Sequence, residues 1–297
     1  MKSSGIGGQA VIEGVMMKNR DRYAIAIRKQ DGELQVEEFT VGGMERNRTI
    51  QKIPIIRGIV NFVSSLVLGM KTLTYSASLF DDEEEEQNEN KNKIIIGLTV
   101  MVAIVLAVGL FIVLPYGLSL LFHKVIQSVS VLSLIEGAAR LIVFFTYIIL
   151  ISKVEDIQRV FMYHGAEHKC INCIEQGYEL TVDNVRKSSR LHKRCGTSFL
   201  LIVMIVSVLF FVFIRFDSPL IRLLMRLILI PVIAGVSYEF IKLAGRTENK
   251  IVNCLSKPGL WLQKLTTREP DDAMIEVGMA SVNAIFDWKS YQQRDKE

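Results

Sequence analysis

Three of the four histidines and three of the four cysteines in the 297-residue chain fall between Val154 and Phe199. Within that stretch His164, Glu167 and His168 stand in the order H-x-x-E-H, the inverted zinc-peptidase pattern. Histidines four residues apart share one face of a helix, so two neutral imidazoles can hold one ion while the carboxylate between them takes a proton from water. The expected cofactor is a divalent metal, zinc. Such a site needs a third ligand, and the sequence offers two kinds. His192 and Cys195, three apart, would close a four-ligand site of the structural type, whereas an acidic ligand, Glu13 or Glu239, would leave a position open for water.

If one helix continues from His164, its ~100° advance per residue keeps Asn172 and Glu175 near the histidine face and turns Cys170 and Cys173 away from it. That C-x-x-C has no second copy, so a zinc ribbon is unsupported. Cys254 reads as a small buried residue. A second constellation lies in apolar sequence: Glu136 and Arg140, one helical turn apart, with Arg222 and Arg226 further on. An ionised group in mid-bilayer costs ~2.5 to 3.5 kcal/mol unless paired, so these four are expected to form an intramembrane charge network, a polar clasp in preference to an ion pathway. Gly5, Gly7 and Gly8 follow no strand signal and precede no GK[ST]. They read as a flexible turn and not as a phosphate loop.

The elements that must position these residues are marked by bunched apolar sequence, which points to lipid rather than to a soluble core. Four spans are expected, over residues 94–122, 131–152, 198–214 and 219–241. Pro115 should kink the first of them or turn its end into an interfacial segment. Lys and Arg number 13 in residues 1–93, 8 in 153–197 and 9 in 242–297, against one each in the connectors 123–130 and 215–218. Both termini and the His/Cys loop 153–197 are therefore expected on the cytoplasmic side, where thiols stay reduced. No cleavable signal is expected at the amino terminus.

Ahead of the spans, Asp31-Gly32 between two strand-like runs within Tyr23 to Val41 predicts a β-hairpin. Pro54 opens an amphipathic helix in which 13 residues separate Arg57 from Lys71. That is too short to span, so the helix should lie in the headgroup plane or pack on other helices. The run DDEEEEQNENKNK predicts a solvated linker. The domain reading is thus an amino-terminal region 1–80, an acidic linker 81–93, a four-helix membrane domain 94–241 and cytoplasmic helices over 242–297. The basic run Arg186 to Arg194 lacks interleaved aromatics, which argues for the anionic inner leaflet and against nucleic acid.

GGQAVIEGVMM near the start, PIIRG at 54–58, YHGAEHKCIN at 163–172 and VRKSSRLHKRCGTSF at 185–199 together resemble the YqhQ-like family of bacterial multi-pass membrane proteins, over nearly the whole chain. That family is of unknown function and is labelled a predicted metal-dependent enzyme. The resemblance implies site residues at His164, Glu167, His168, His192 and Cys195, with Glu13 from the first motif.

The sequence thus predicts a mainly α, polytopic membrane protein with four transmembrane helices, a small amino-terminal β-hairpin region and cytoplasmic helices. Its expected activity is that of a metal-dependent hydrolase at the inner membrane surface, with Glu167 as general base and a lipid or a membrane-protein segment as substrate. A non-catalytic scaffold with a structural His/Cys metal site is the alternative. A small ion-linked transporter, which would need a homo-oligomer, comes third.

Overall fold

The structure is a computed structural model that describes residues 3–42, 49–80, 89–213, 218–245, 247 and 249–294. Its amino-terminal part is one antiparallel sheet of β1 (Ile6–Val11), β2 (Gly14–Asn19), β3 (Arg22–Arg28) and β4 (Leu34–Thr40), ordered β1-β2-β3-β4. The hairpin read from Asp31-Gly32 is β3–β4. Tyr23 pairs with Phe39 there, their rings stacked at 5.1 Å, and Gly32 takes φ 87° in the loop. The reading of Gly5, Gly7 and Gly8 as a flexible turn is corrected, because Gly7 and Gly8 sit in β1 opposite Lys18 and Met17. Their lack of side chains hides the alternation by which a strand is recognised, and central β2, buried on both faces, reads as a continuous apolar run.

Among the described residues the helices are α1 (Ile56–Ser78), α2 (Glu89–Val108), α3 (Leu114–Leu121), α4 (Val129–Ile151), α5 (Glu155–Glu175), α6 (Val182–Lys187), α7 (Gly196–Phe213), α8 (Pro219–Ile228), α9 (Ile230–Ala244), α10 (Lys250–Thr266), α11 (Asp272–Ile285) and α12 (Trp288–Arg294). The fold is therefore mainly helical with an amino-terminal four-stranded sheet. Residues 81–88 of the expected acidic linker lie outside the described residues, and 89–93 already belong to α2.

The chain divides into two compact units. The first joins Met1–Phe80, Leu150–Ile202 and Ala234–Glu297. Ile6, Val15, Met17, Ala24 and Ala26 from the sheet pack with Tyr163, Ala166 and Cys170 of α5 and with Met274, Ile275 and Val282 of α11. Val11, Met16, Tyr23, Ile25 and Ile27 form a second cluster with Leu68 and Tyr75 of α1. The sheet is thus covered on both sides. Asp271 caps α11 by accepting from the Met274 amide at 2.8 Å, a contact of the kind that stabilises by about 1 kcal/mol.

The second unit, Asp81–Ile149 with Val203–Ile233, is all helical among its described residues. The break expected at Pro115 is a single π turn, Gly109–Val113, between α2 and α3. Proline has no N–H for the carbonyl four residues back, here Phe111, and a widened turn relieves the clash.

Among the described residues four helical stretches are long and apolar enough to cross a membrane: Ile56–Ser78, Gly97–Leu121, Val129–Ile151 and Gly196–Phe213. The set differs from the one expected. α1 continues past Lys71 to Ser78, so its 23 residues meet the length that the Arg57–Lys71 spacing was taken to deny. The expected span 219–241 is instead the pair α8–α9, bent by 43°, which would count as a fifth if it crosses as one. The break falls at Leu229, where Pro231 denies an amide to the carbonyl of Leu227.

Candidate functional site

α5 carries two faces. Tyr163, Ala166, Cys170, Cys173 and Ile174 enter the core with the sheet and α11, while His164, Glu167, His168, Asn172 and Glu175 lie on the opposite side. The helix is unbroken from Glu155 to Glu175, so the expectation that Cys170 and Cys173 turn away from the histidines holds. The helix touches the chain after α10 closely: a Cβ at Gly165 would fall 2.0 Å from the Arg268 carbonyl oxygen, so only glycine admits this contact.

The polar face of α5 is a row of donors aimed at the backbone of the 186–191 segment. His168 Nδ1 meets the Arg190 carbonyl at 2.6 Å, Lys169 Nζ donates to the carbonyls of Arg186 and Ser188, and Asn172 Nδ2 donates to those of Ser189 and Leu191. Gln263 of α10 holds the next residue on both sides. It accepts from the His192 amide at 2.8 Å and donates to the His192 carbonyl at 2.8 Å. The two long motifs around residues 163–172 and 185–199 are thus halves of one hydrogen-bonded structure. Lys169, Asn172, Gln263 and the carbonyls of Arg190 and Thr266 are positioning groups missed at the sequence level. Of these, Asn172 carries a readable signal, its place on the histidine face.

The segment ends at Cys195, the N-cap of α7, whose carbonyl accepts from the Phe199 amide and whose Sγ accepts from the Thr197 amide at 3.4 Å. There Sγ lies 3.3 Å from His164 Nε2. One ligand atom from each of His164, His168 and Cys195 lies within 4.8 Å of the others. A carbonyl oxygen only accepts, so His164 Nδ1, 2.9 Å from Thr266 O, and His168 Nδ1, at Arg190 O, both carry the proton. In the neutral form of each ring that leaves Nε2 as the nitrogen with a lone pair, the arrangement typical of metal-ligating histidines. Two such imidazoles and a thiol fit a zinc ion.

Electrostatics bind the same groups together. Burial alone would raise the Cys195 thiol, but His164 and His168 outweigh it and hold the thiol well below its usual range. Burial likewise disfavours a charged His164, and the facing Cys195 thiolate lifts it instead to about 9. Glu167 Oε2 stands 3.9 Å from His164 Nε2, with 6 % of its side chain exposed. Its position depends on β1, since a Cβ at Gly8 would fall 2.8 Å from Glu167 Cγ. His164, Glu167, His168, His192 and Cys195 all border one cavity of about 990 Å³.

The remaining expected site residues are placed as follows. His192 lies outside the three-ligand group. Its ring is 5.7 Å from that of His168, and its Nε2 faces Glu175 at 3.6 Å. Burial pushes its pKa down. Glu13 sits at the β1–β2 turn with φ 48° and is clamped by Arg159 at 2.6 and 2.5 Å, with the Tyr163 hydroxyl at 3.2 Å. Glu239 on α9 is held by both the Nε and Nη2 of Arg57. Each of these carboxylates is already engaged by an arginine, and neither joins the His/Cys group. The basic run also has partners within the protein: Arg186 pairs with Asp183 and Asp272 at the surface, Arg190 donates to the Thr267 carbonyl, and Arg194 pairs with Glu175. Cys254 is exposed on α10, which corrects its reading as a buried residue.

In the second unit Glu136, Arg140 and Arg226 come together, all buried. Glu136 accepts from Arg140 Nη2 at 2.6 Å and from Arg226 Nε at 2.7 Å, with Arg226 Nη2 on its other oxygen. Arg140 also donates to Ser207 Oγ at 2.7 Å and to the Phe111 carbonyl at 3.0 Å, inside the π turn. Arg222, buried one turn before Arg226, contributes its carbonyl to Arg226 Nη1 at 3.2 Å.

Comparison with known proteins finds two likenesses. Residues 53–288 match the family described as "Protein of unknown function (DUF1385)". The "Uncharacterized protein YqhQ" of Bacillus subtilis (strain 168) is 34% identical over 302 residues, covering 98% of this chain and 95% of that protein. No solved structure matches.

Proposed function

From the premise that the chain belongs to the DUF1385 family, whose description assigns no activity, we propose on the site alone that it is a membrane-anchored, metal-dependent hydrolase working at the inner surface of the cell membrane. The carrying observation is the convergence of His164, His168 and Cys195 on a cavity that Glu167 also borders. Three protein ligands with a neighbouring carboxylate suit an open site, whereas a structural zinc site uses four. Zinc bound there would act as a Lewis acid and lower the pKa of bound water toward ~7. The chain's own groups divide the remaining work. His164 and His168 would hold the ion through Nε2 while the Thr266 and Arg190 carbonyls fix their rings, and Cys195 would add a negative charge. Glu167 takes the proton from the attacking water.

The apolar helices Gly97–Leu121, Val129–Ile151 and Gly196–Phe213, the bent pair α8–α9 and the Lys/Arg bias support a multi-pass membrane protein with both termini cytoplasmic. α1 is read as lying in the headgroup plane despite its length. Its Gly69 carbonyl meets Gln9 of β1 and its Ser76 hydroxyl meets the Ile12 amide at 3.1 Å, so spanning would carry the charged sheet into lipid. Val63, Leu66 and Val67, 51, 53 and 64 % exposed, form the flank that would face the acyl chains.

The test is elemental analysis of protein purified in detergent. About one zinc per chain is expected, lost in His164→Ala, His168→Ala and Cys195→Ala and kept in His192→Ala and Glu167→Gln. Glu167→Gln should also abolish hydrolysis. Zinc lost in His192→Ala, with function intact in Glu167→Gln, would establish the scaffold instead, and metal-free wild-type protein would end both readings.

A further inference from the structure

The two outer edges of the sheet are finished differently. β4 carries Glu37 and Glu38, charged side chains of the kind that keep an edge strand from pairing with another chain. β1 reads IGGQAV and carries no charge. The ladder fixes which of its backbone groups face outward. The Glu13 carbonyl accepts from the Arg28 amide at 3.0 Å, so Val15 and Met17 bond to β3 in turn, and Gly14, Met16 and Lys18 bond to β1 at Val11, Gln9 and Gly7. The amides and carbonyls of Ile6, Gly8, Ala10 and Ile12 are left to the outer edge. Both ends of that edge are closed, because the Ile6 amide donates to Ser4 Oγ at 3.2 Å and the Ile12 amide to Ser76 Oγ of α1 at 3.1 Å. Between them, Gly8 and Ala10 have no outward partner among the described residues.

This open stretch meets the His/Cys cavity, whose wall includes Gly7 and Gly8 of β1, Ser65 and Leu68 of α1, and Glu167 and Ile171 of α5. Gly8 lies so near the candidate base that a Cβ on it would fall 2.8 Å from Glu167 Cγ. We propose that the substrate is an extended polypeptide that adds to β1 as a further strand, its backbone paired with Gly8 and Ala10 and its scissile bond presented to Glu167. The cleavage rests on the hydrolase reading, whereas the strand addition uses none of the metal ligands. Gly8 and Ala10 each offer one donor and one acceptor, ~7 Å apart along the strand, and an extended peptide repeats that pair at the same spacing where a lipid headgroup does not. In the reaction the water oxygen bonds to the scissile carbonyl carbon as the C–N bond breaks. Glu167 moves the proton of the water to the leaving nitrogen, giving a carboxylate and an amine.

The experiment measures binding to full-length Glu167→Gln protein in maltoside detergent, which leaves the probe uncut. The probes are a fluorescent, end-blocked peptide of alternating threonine and valine, the same peptide with every amide N-methylated, and dihexanoyl phosphatidylglycerol as competitor. The plain peptide is expected to bind at least about tenfold more tightly than the methylated one and to resist displacement by the lipid. Adding Ala10→Pro, which removes an outward amide and leaves the β1–β2 ladder intact, should weaken the plain peptide about tenfold with zinc content unchanged. Unchanged zinc shows that this variant is folded at the site, and the methylated probe makes the same test on an unaltered edge. Equal binding of the two peptides, binding of neither, or full affinity in Ala10→Pro would overturn the proposal. Displacement by the lipid without discrimination between the peptides would also overturn it and give the cavity to a lipid. Loss of the hydrolase reading has a separate signature, absent zinc in the wild type with the preference for the unmethylated peptide preserved.

Discussion

Two polar clusters are built into this chain, and they differ in what they leave over. In the helical unit, both oxygens of Glu136 are taken by guanidiniums, and Arg140 extends to Ser207 and to the Phe111 carbonyl. Arg226 also lies over the rings of Tyr116 and Phe211, at 4.8 and 4.9 Å. In the sheet-containing unit, His164 and His168 are each fixed to a backbone carbonyl through Nδ1, and each Nε2 converges with Cys195 on a cavity. The first cluster is satisfied by protein alone and acts as a clasp between helices. The second cluster retains bonding capacity, which is the physical mark of a binding site.

The strongest way to break this comparison is to remove Glu136. Glu136→Ala strands two buried arginines and is expected to cost roughly 3 to 5 kcal/mol, seen as a large fall in melting temperature or loss of folded protein. Near-wild-type stability would mean that the cluster is not a clasp. His168→Ala should do the opposite, with zinc falling from about one per chain to near zero while the clasp is untouched. An equal collapse of stability in both variants would erase the distinction drawn between them.

Glu175 sharpens the comparison by showing that the sheet-containing unit also holds a satisfied charge. Despite burial, hydrogen bonds and charge from His192, Arg194 and Ser4 bring its pKa down from 4.5 to about 2. A folded-state pKa below the unfolded one adds stability that is present above about 4.5 and lost as pH falls toward about 2. Glu175→Gln should therefore cost up to roughly 3 kcal/mol at pH 7, a deficit that shrinks as pH drops through that window. Melting curves at pH 7 and pH 3 check it. A deficit independent of pH would mean that the side chain matters for packing alone.

How much of this was legible in sequence depends on range. The H-x-x-E-H spacing fixes one helix face, and continuing it correctly separates Glu175 from Cys170, because a single helix needs no tertiary information. The choice of third ligand needed such information. Glu13 and Glu239 looked available because nothing local shows that Arg159 and Arg57, far away in sequence, already hold them. Cys195 was legible as a donor, but its parting from His192 came from Gln263 on α10, whose grip turns the segment between the two. The strands were half legible: Asp31-Gly32 announces its hairpin, whereas β1 carries glycines where the pattern needs side chains.

Gly8 ties that strand to the chemistry and gives the finest test. A Cβ there would lie 2.7 Å from the Met16 carbonyl oxygen, 2.9 Å from Met17 Sδ and 2.8 Å from Glu167 Cγ. The nearest is backbone and the other two belong to buried side chains, so Gly8→Ala should cost about 1 to 3 kcal/mol and relieve part of the crowding by moving Glu167. The histidines and Cys195 are not among the atoms met, so zinc stays. Turnover should fall about 10- to 100-fold in kcat with little change in KM, because the base is displaced. Gly7→Ala is the matched control, since nothing lies within 4 Å of its Cβ. A KM effect in Gly8→Ala with kcat preserved would place Glu167 among binding groups and take the general-base role away from it.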